Sequence, residues 1–175
     1  MDKGELYRIA LSYLGTYEYV PGSPEARALD DVLIHTLRVA ASYARWRWAL
    51  KREKLHVKDG EADLPAGFLE MERCSLSQWE IIGKKLVSRS HRCTDAEIVY
   101  VSGDWAQQCK LPRHAPIFCD GVALLLASKA AVRITGNYNL SAALENQAKE
   151  TLYRARLSEV RQQNSNDQQK EVQHG

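Results

Sequence analysis

The sequence predicts an α+β fold: a helical bundle of about four helices with a β-rich insertion, drawn as a hairpin, between the second and third long helices, and an extended C-terminal tail. Three observations lead there. Apolar residues recur at intervals of three and four in the first and last thirds of the chain, and the middle third carries β-branched runs punctuated by glycine. The closing stretch QQNSNDQQKEVQHG holds a single large aliphatic residue. A chain of 175 residues with 45% apolar and 26% charged side chains can bury one core without staples, so residues 1–161 are read as one domain and residues 162–175 as a polar tail.

The first helix is expected over about residues 3–14, with Leu6, Ile9, Ala10 and Tyr13 on one side and Gly15 in the C-cap position. After the loop TYEYVPG comes a strong start signal: Ser23 can cap, Pro24 suits the first helical position, and Ala26, Leu29, Val32, Leu33, Leu37, Ala40 and Ala44 recur at three or four. This second helix is expected over residues 23–48. Its end is awkward, because ARWRWALKREKL sets Trp46 and Trp48 among five cations, and two rings two positions apart on a helix point about 200° from each other. Either the helix ends there or one ring meets something else.

The β-rich insertion is expected over about residues 50–103. KREKLHVKDGEADLPAG reads as an extended piece and a loop, and WEIIGKKLVSR and EIVYVSG read as strands, with HRCTDA as the tip that could join them. From Pro112 to Thr135 the pattern turns helical again, with Ile117, Leu124, Ala127, Ala131 and Ile134 on one stripe and Val122, Leu125 and Val132 beside it; a helix apolar nearly all round belongs at the centre. Gly136 and Asn137 break the chain before a last helix over residues 140–161, where Leu140, Leu144, Ala148, Thr151 and Ala155 face inward. The tail beyond it could not repay the entropy of ordering itself and is expected to be disordered without a partner.

Several function classes recede. A formal net charge of +2 is too small to imply a nucleic-acid partner. The stretch GVALLLASKAAV falls short of the ~20 residues of a membrane span, and the first residues do not resemble a secretory signal, so a soluble chain made in a cytoplasm is expected. Cys74, Cys93, Cys109 and Cys119 form no CxxC knuckle and read as free thiols; neither a metal nor a cofactor is expected. No phosphate loop, GxSxG elbow or HExxH pair occurs, and the five histidines are scattered, so no catalytic residue is assigned. Two alternatives stay open. Arg45, Arg47, Lys51, Arg52 and Lys54 interleaved with Trp46 and Trp48 could make a nucleic-acid-binding module over residues 45–54, and Glu70 with Glu72 could serve a tail-associated cell-wall lytic enzyme.

The order of features resembles the podovirus-type head-to-tail adaptors, the tail tubular protein A-like connectors, over roughly residues 5–160. Matching pieces are Trp46, Trp48 and Ala49 with Leu55 beyond; Leu64, Pro65 and the run from Phe68 to Met71; Trp79, Ile81 and Gly83; Ile98 to Val101; Pro116 and Phe118; and the small and aliphatic helix of Ala123, Leu126, Ala127 and Ala131 ending in Thr135 and Gly136. The chain departs from the family pattern at Ala66 and Gly67.

That resemblance implies a structural virion protein of a bacteriophage rather than an enzyme. It implies a homo-oligomeric ring, a dodecamer, at the head-tail junction, serving genome packaging and tail assembly. Its partners would be the portal protein, the next tail component (tail tube or nozzle), and double-stranded DNA passing without sequence specificity. On this reading Gln162, Gln163, Asn164, Asp167, Gln168, Lys170 and Val172 dock the portal. Trp48, Phe118, Leu124 and Leu125 pack the core, with Trp48 expected to plug the bundle. Trp46, Arg45, Arg47, Lys51 and Arg52 are left for the insertion or a neighbouring subunit.

Overall fold

The computed structural model describes residues 1–16, 18–88 and 94–172, with the side chains of 94, 107 and 160–172 excepted. The chain is mixed α+β, with five α-helices and two three-stranded antiparallel sheets among the described residues. It divides into two units: residues 1–45 with 105–175 form a helical unit, and Trp46–Asp104 form a β unit.

In the helical unit, α1 (Lys3–Tyr13) starts at Asp2, whose carboxylate accepts from the Glu5 amide at 2.9 Å, and α2 (Pro24–Ala41) starts at Ser23, whose hydroxyl accepts from Ala26. Pro24 occupies the first turn of α2, where no amide is missed. The buried side of α1 is Leu6, Tyr7, Ala10 and Leu11 rather than the expected stripe through Ile9 and Tyr13. Tyr7 decides that rotation. Its ring is buried, its hydroxyl donates to Asp30 Oδ1 of α2 at 2.6 Å, and Lys3 Nζ pairs with the same oxygen at 2.5 Å. The Lys3 hydrogen bond, with that of Tyr7, holds the Asp30 carboxyl below the usual carboxylate range, and burial raises Tyr7.

A short α3 (Asp104–Gln107), absent from the sequence reading, precedes α4 (Pro116–Thr135). The expected start at Pro112 is corrected to Pro116: residues 112–115 form a turn in which the Ala115 amide donates to the Pro112 carbonyl at 3.1 Å, and Pro116 fills the first helical turn. The end falls where expected, with Gly136 left-handed at φ 69° and its amide bonded to Val132. Twelve residues of α4 are buried, from Phe118 to Ala131, so most of its circumference is covered.

The last helix, α5 (Tyr138–Val172), is longer than the expected 140–161. No glycine or proline interrupts it, and its Gln, Glu, Lys and Arg are unbranched residues with low helix cost, so the backbone continues as helix where a disordered tail was expected. Among its described side chains, Leu144, Ala148, Leu152 and Ala155 are buried. α5 lies so close to α4 that a Cβ on Gly121 would stand 2.8 Å from Leu152 Cγ and 3.3 Å from its backbone nitrogen.

The second helix also departs from expectation: α2 stops at Ala41, seven residues before the expected end at Trp48. The turn at 42–43 and a 3-10 turn at Arg47–Ala49 lead into β1 (Leu50–Val57). An α-helix would have split the two tryptophan rings to opposite sides, whereas Trp46 stands outside the 3-10 turn in extended conformation and the rings stack.

In the β unit, β1 turns tightly through Asp59 and Gly60, both at positive φ, into β2 (Glu61–Asp63), the primed turn that suits a two-residue connection. There follow β3 (Phe68–Cys74), β4 (Trp79–Ile82), β5 (Lys85–Ser88) and β6 (Thr94–Ser102). One sheet runs β1-β6-β3 and the other β2-β5-β4. The expected joining of WEIIGKKLVSR to EIVYVSG is replaced by a hairpin inside the first of these runs: Gly83 at φ 63° turns the chain so that Ile82 pairs with Lys85. The HRCTDA tip lies mostly outside the described residues. Leu55, Val57, Ala96, Ile98 and Tyr100 from one sheet and Ala62 and Leu86 from the other form one buried cluster. Phe68 stacks on Tyr100 with centroids 5.6 Å apart.

Gly121→Val is expected to cost about 1–3 kcal/mol through overpacking, read as a lowered Tm, with partial recovery in Gly121→Val/Leu152→Ala. Because Asp30 has its pKa lowered by folding, its contribution is complete above the unfolded value of about 4 and is lost as pH falls through the folded one. Thermal melts of Asp30→Asn are therefore expected to show a Tm deficit at neutral pH that shrinks below about pH 4.

Candidate interaction surface

The aromatic and basic run begins the β unit. Trp46 is 1% exposed, Trp48 is half-buried, and the rings stack with centroids 6.1 Å apart at an interplanar angle of 24°. Trp46 is thus the fully buried ring, and Trp48, expected to be the buried one, is only partly covered. Trp46 precedes the 3-10 turn in extended conformation, its carbonyl accepting from the Ala49 amide at 2.9 Å.

The cations are spread and engaged within the chain. Arg45 and Arg47 are exposed. Lys51 pairs with Asp104, whose carboxyl is held below its usual range by that hydrogen bond, and Arg52 Nε lies 3.2 Å from Glu97. Trp46 is buried, and Lys51 and Arg52 are matched by carboxylates of the same chain. Glu70 and Glu72 are exposed on β3, whose pairing with β6 shifts register between Phe68 and Glu70 and between Met71 and Arg73.

Asp104 is also held tightly by the backbone near it. A Cβ on Gly67 would stand 1.9 Å from its Oδ1, and the Gly103 amide donates to the Gly67 carbonyl at 2.7 Å. Inside the cluster, burial and the 3.1 Å hydrogen bond to Glu53 push the Tyr100 phenol up to about 12, so it stays a neutral donor.

Elsewhere, Phe118 stands edge-on to Trp105 at 5.6 Å, and Phe118, Leu124 and Leu125 are buried. The side chains of Gln162, Gln163, Asn164, Asp167, Gln168, Lys170 and Val172 lie outside the described residues. Cys74, Cys109 and Cys119 are free thiols, burial raising the latter two, and Cys93 lies outside the described residues. Among the described residues no cluster of His, Cys, Asp and Glu is arranged to hold a metal ion, and no helix is long and apolar enough to cross a membrane. An open cleft of about 330 Å³ between the start of α2 and the end of α4 is lined by Pro24, Glu25, Arg27, Ala28, Arg133 and Ile134, with no hydroxyl, thiol or imidazole to act as a nucleophile.

The feature the sequence reading missed is the exposure of β4. Of the four sheet edges, β1 carries Lys51, Arg52, Lys54 and His56, β2 has three residues, and β3 is interrupted by register shifts; each is a recognised way of blunting an edge. β4 is also short, at four residues, but its only charged side chain is Glu80. Its Trp79, Ile81 and Ile82 are 37%, 38% and 57% exposed. Ile81 sits beside Leu86 on the cluster side, while Ile82 sits beside Lys85 on the other, so the strand is apolar on both faces and open along one edge. Such a pattern reads in a sequence as a buried strand, which is why its exposure gave no signal.

No protein-family model matches the chain, and no curated protein matches it. The surface features therefore rest on their own geometry.

Trp46→Ala is expected to lose about 3–5 kcal/mol as a fully buried aromatic, and Trp48→Ala distinctly less, measured by chemical unfolding of each variant against the parent.

Proposed function

We propose that this chain is a structural virion protein of the podovirus-type head-to-tail adaptor class, which the sequence resembles, and that it acts by assembly rather than by catalysis. Its helical unit is a bundle of about four helices that packs beside the same unit of neighbouring copies in a ring, probed first as a dodecamer. The β-rich insertion offers a surface to the next tail component. The C-terminal end of α5 docks on the portal, and the ring continues the channel for double-stranded DNA.

One observation supports this reading above the others: α5 outruns the helix it packs on. Leu152 is level with Gly121, and α4 begins only five residues earlier, at Pro116. Residues beyond about 157 therefore have no α4 residue opposite them, and the helix continues to Val172, about 22 Å further. An isolated helix of about 15 polar residues is marginal in water. A helix end of this kind gains most when it lies on another surface, and ordering on docking lets a small protein cover a large partner.

Deleting residues 162–175 is expected to leave the Tm within a few degrees of the parent, since the stretch opposite α4 ends at about residue 157. The same deletion is expected to abolish attachment to portal-containing particles in a sedimentation assay. Attachment at the parental level would retire the proposal.

A further inference from the structure

We propose that the surface on which the end of α5 docks is an apolar groove rimmed by carboxylates, and that Tyr153, Arg156 and Leu157 anchor α5 in it, ahead of the polar end that begins at Gln162. This rests on the portal-docking role proposed for α5, and it names the side chains and the partner chemistry of that contact.

Apolar exposure on α5 gathers where α4 runs out. Ser141 Oγ donates to the Ser128 carbonyl and Leu152 lies against Gly121, so the two helices run antiparallel and Ile117 is level with about residue 156. From Asn139 to Glu150 no exposed side chain of α5 is both apolar and larger than alanine. Tyr153 and Leu157 are then 54% and 39% exposed, and Ile117, one turn before Gly121 on the same side of α4, is 44% exposed. Tyr138, the other exposed aromatic of α5, stands at the far end of the helix.

The spacing is that of a helix laid in a groove. Tyr153, Arg156, Leu157 and Val160 occupy positions i, i+3, i+4 and i+7, the set that a groove reads from one side of a helix. At about 100° per residue, Tyr153 and Leu157 lie about 100° and 140° around from Leu152, which faces α4. The helix is continuous to Val172, so a surface lying along this side of its protruding end meets the stripe at the base. Tyrosine and arginine are the residue types that carry most binding energy at the centre of an interface.

Charge selects the chemistry of the groove. Arg154 is paired with Glu150 and Lys149 with Glu145, whereas Arg156, among the described residues, has no carboxylate or hydrogen-bond partner. Once covered, its guanidinium needs a carboxylate from the covering surface, because a desolvated charge left unpaired would oppose docking. The helical unit of a second copy is poorly suited to supply one: its Asp30, Asp31, Asp120, Glu145 and Glu150 are already bonded within the chain. A different protein is therefore the fitting occupant.

Co-sedimentation of the full-length chain with portal-containing particles tests this. Tyr153→Ala and Leu157→Lys are each expected to raise the dissociation constant by more than roughly tenfold and Arg156→Glu by about tenfold, with Arg156→Lys close to the parent. Gln147→Lys, on the same helix but away from the stripe, is expected to attach as the parent does. Raising the salt concentration is expected to weaken the parent more than Arg156→Gln. All four positions are exposed, so each variant is expected to keep its Tm within a few degrees of the parent.

Attachment that is lost on deleting residues 162–175 but stays parental in Tyr153→Ala, Leu157→Lys and Arg156→Glu overturns this inference and leaves the adaptor reading standing. Parental attachment of the deletion overturns both. Sedimentation equilibrium of the chain alone covers the remaining occupant: self-association abolished by Leu157→Lys assigns the stripe to a second copy and overturns the inference as well.

Discussion

The covered circumference of α4 is the constraint from which the helical unit follows. A helix with buried residues at nearly every position from Phe118 to Ala131 must be surrounded, and α1, α2 and α5 supply the surroundings. Close approach on one side is bought at Gly121, where the missing side chain makes room for Leu152. On the other sides small residues do the same work: Ala10 of α1 and Ala26, Ala28 and Ala40 of α2 are all buried. The polar links between helices, such as Tyr7 with Asp30 and Arg133 with Asp31, lie toward the rim and set rotation more than they set stability.

The β unit is governed by a different requirement, the closure of its edges. Two small sheets share one apolar cluster, so neither is large enough to stand alone, and each contributes residues the other needs. Charges, brevity and bulges close three of the edges. The fourth is left with aromatic and aliphatic side chains in the open, and a protein that exposes Trp79, Ile81 and Ile82 together on one short strand has a use for that edge or an aggregation hazard to contain.

Local chemistry was legible wherever one residue dictates one conformation. Ser23 and Pro24 announced α2, Gly136 announced the end of α4, and the apolar run around Leu124 announced a surrounded helix. What could not be read was set by competition over distance. The end of α2 depended on whether two tryptophans could share a side, which only the 3-10 turn resolved. The pairing of β6 with β1 and β3, rather than with the WEIIGKKLVSR run, depended on registers between segments far apart in sequence. The exposed edge was hardest, because an apolar pattern states what a strand would bury and not whether anything is there to bury it.

The helical unit is interrupted in sequence by the whole β unit, and this shapes how the chain is made. α1 and α2 leave the ribosome with their apolar sides bare, and α4, which covers them, begins about 75 residues after α2 ends, several seconds later at ordinary translation speeds. The β unit is contiguous and can close during that interval, drawing the ends of the waiting segments together before α4 emerges. For the nascent chain, that delay is the period of greatest need for a chaperone, and substitutions that slow closure of the β unit lengthen it.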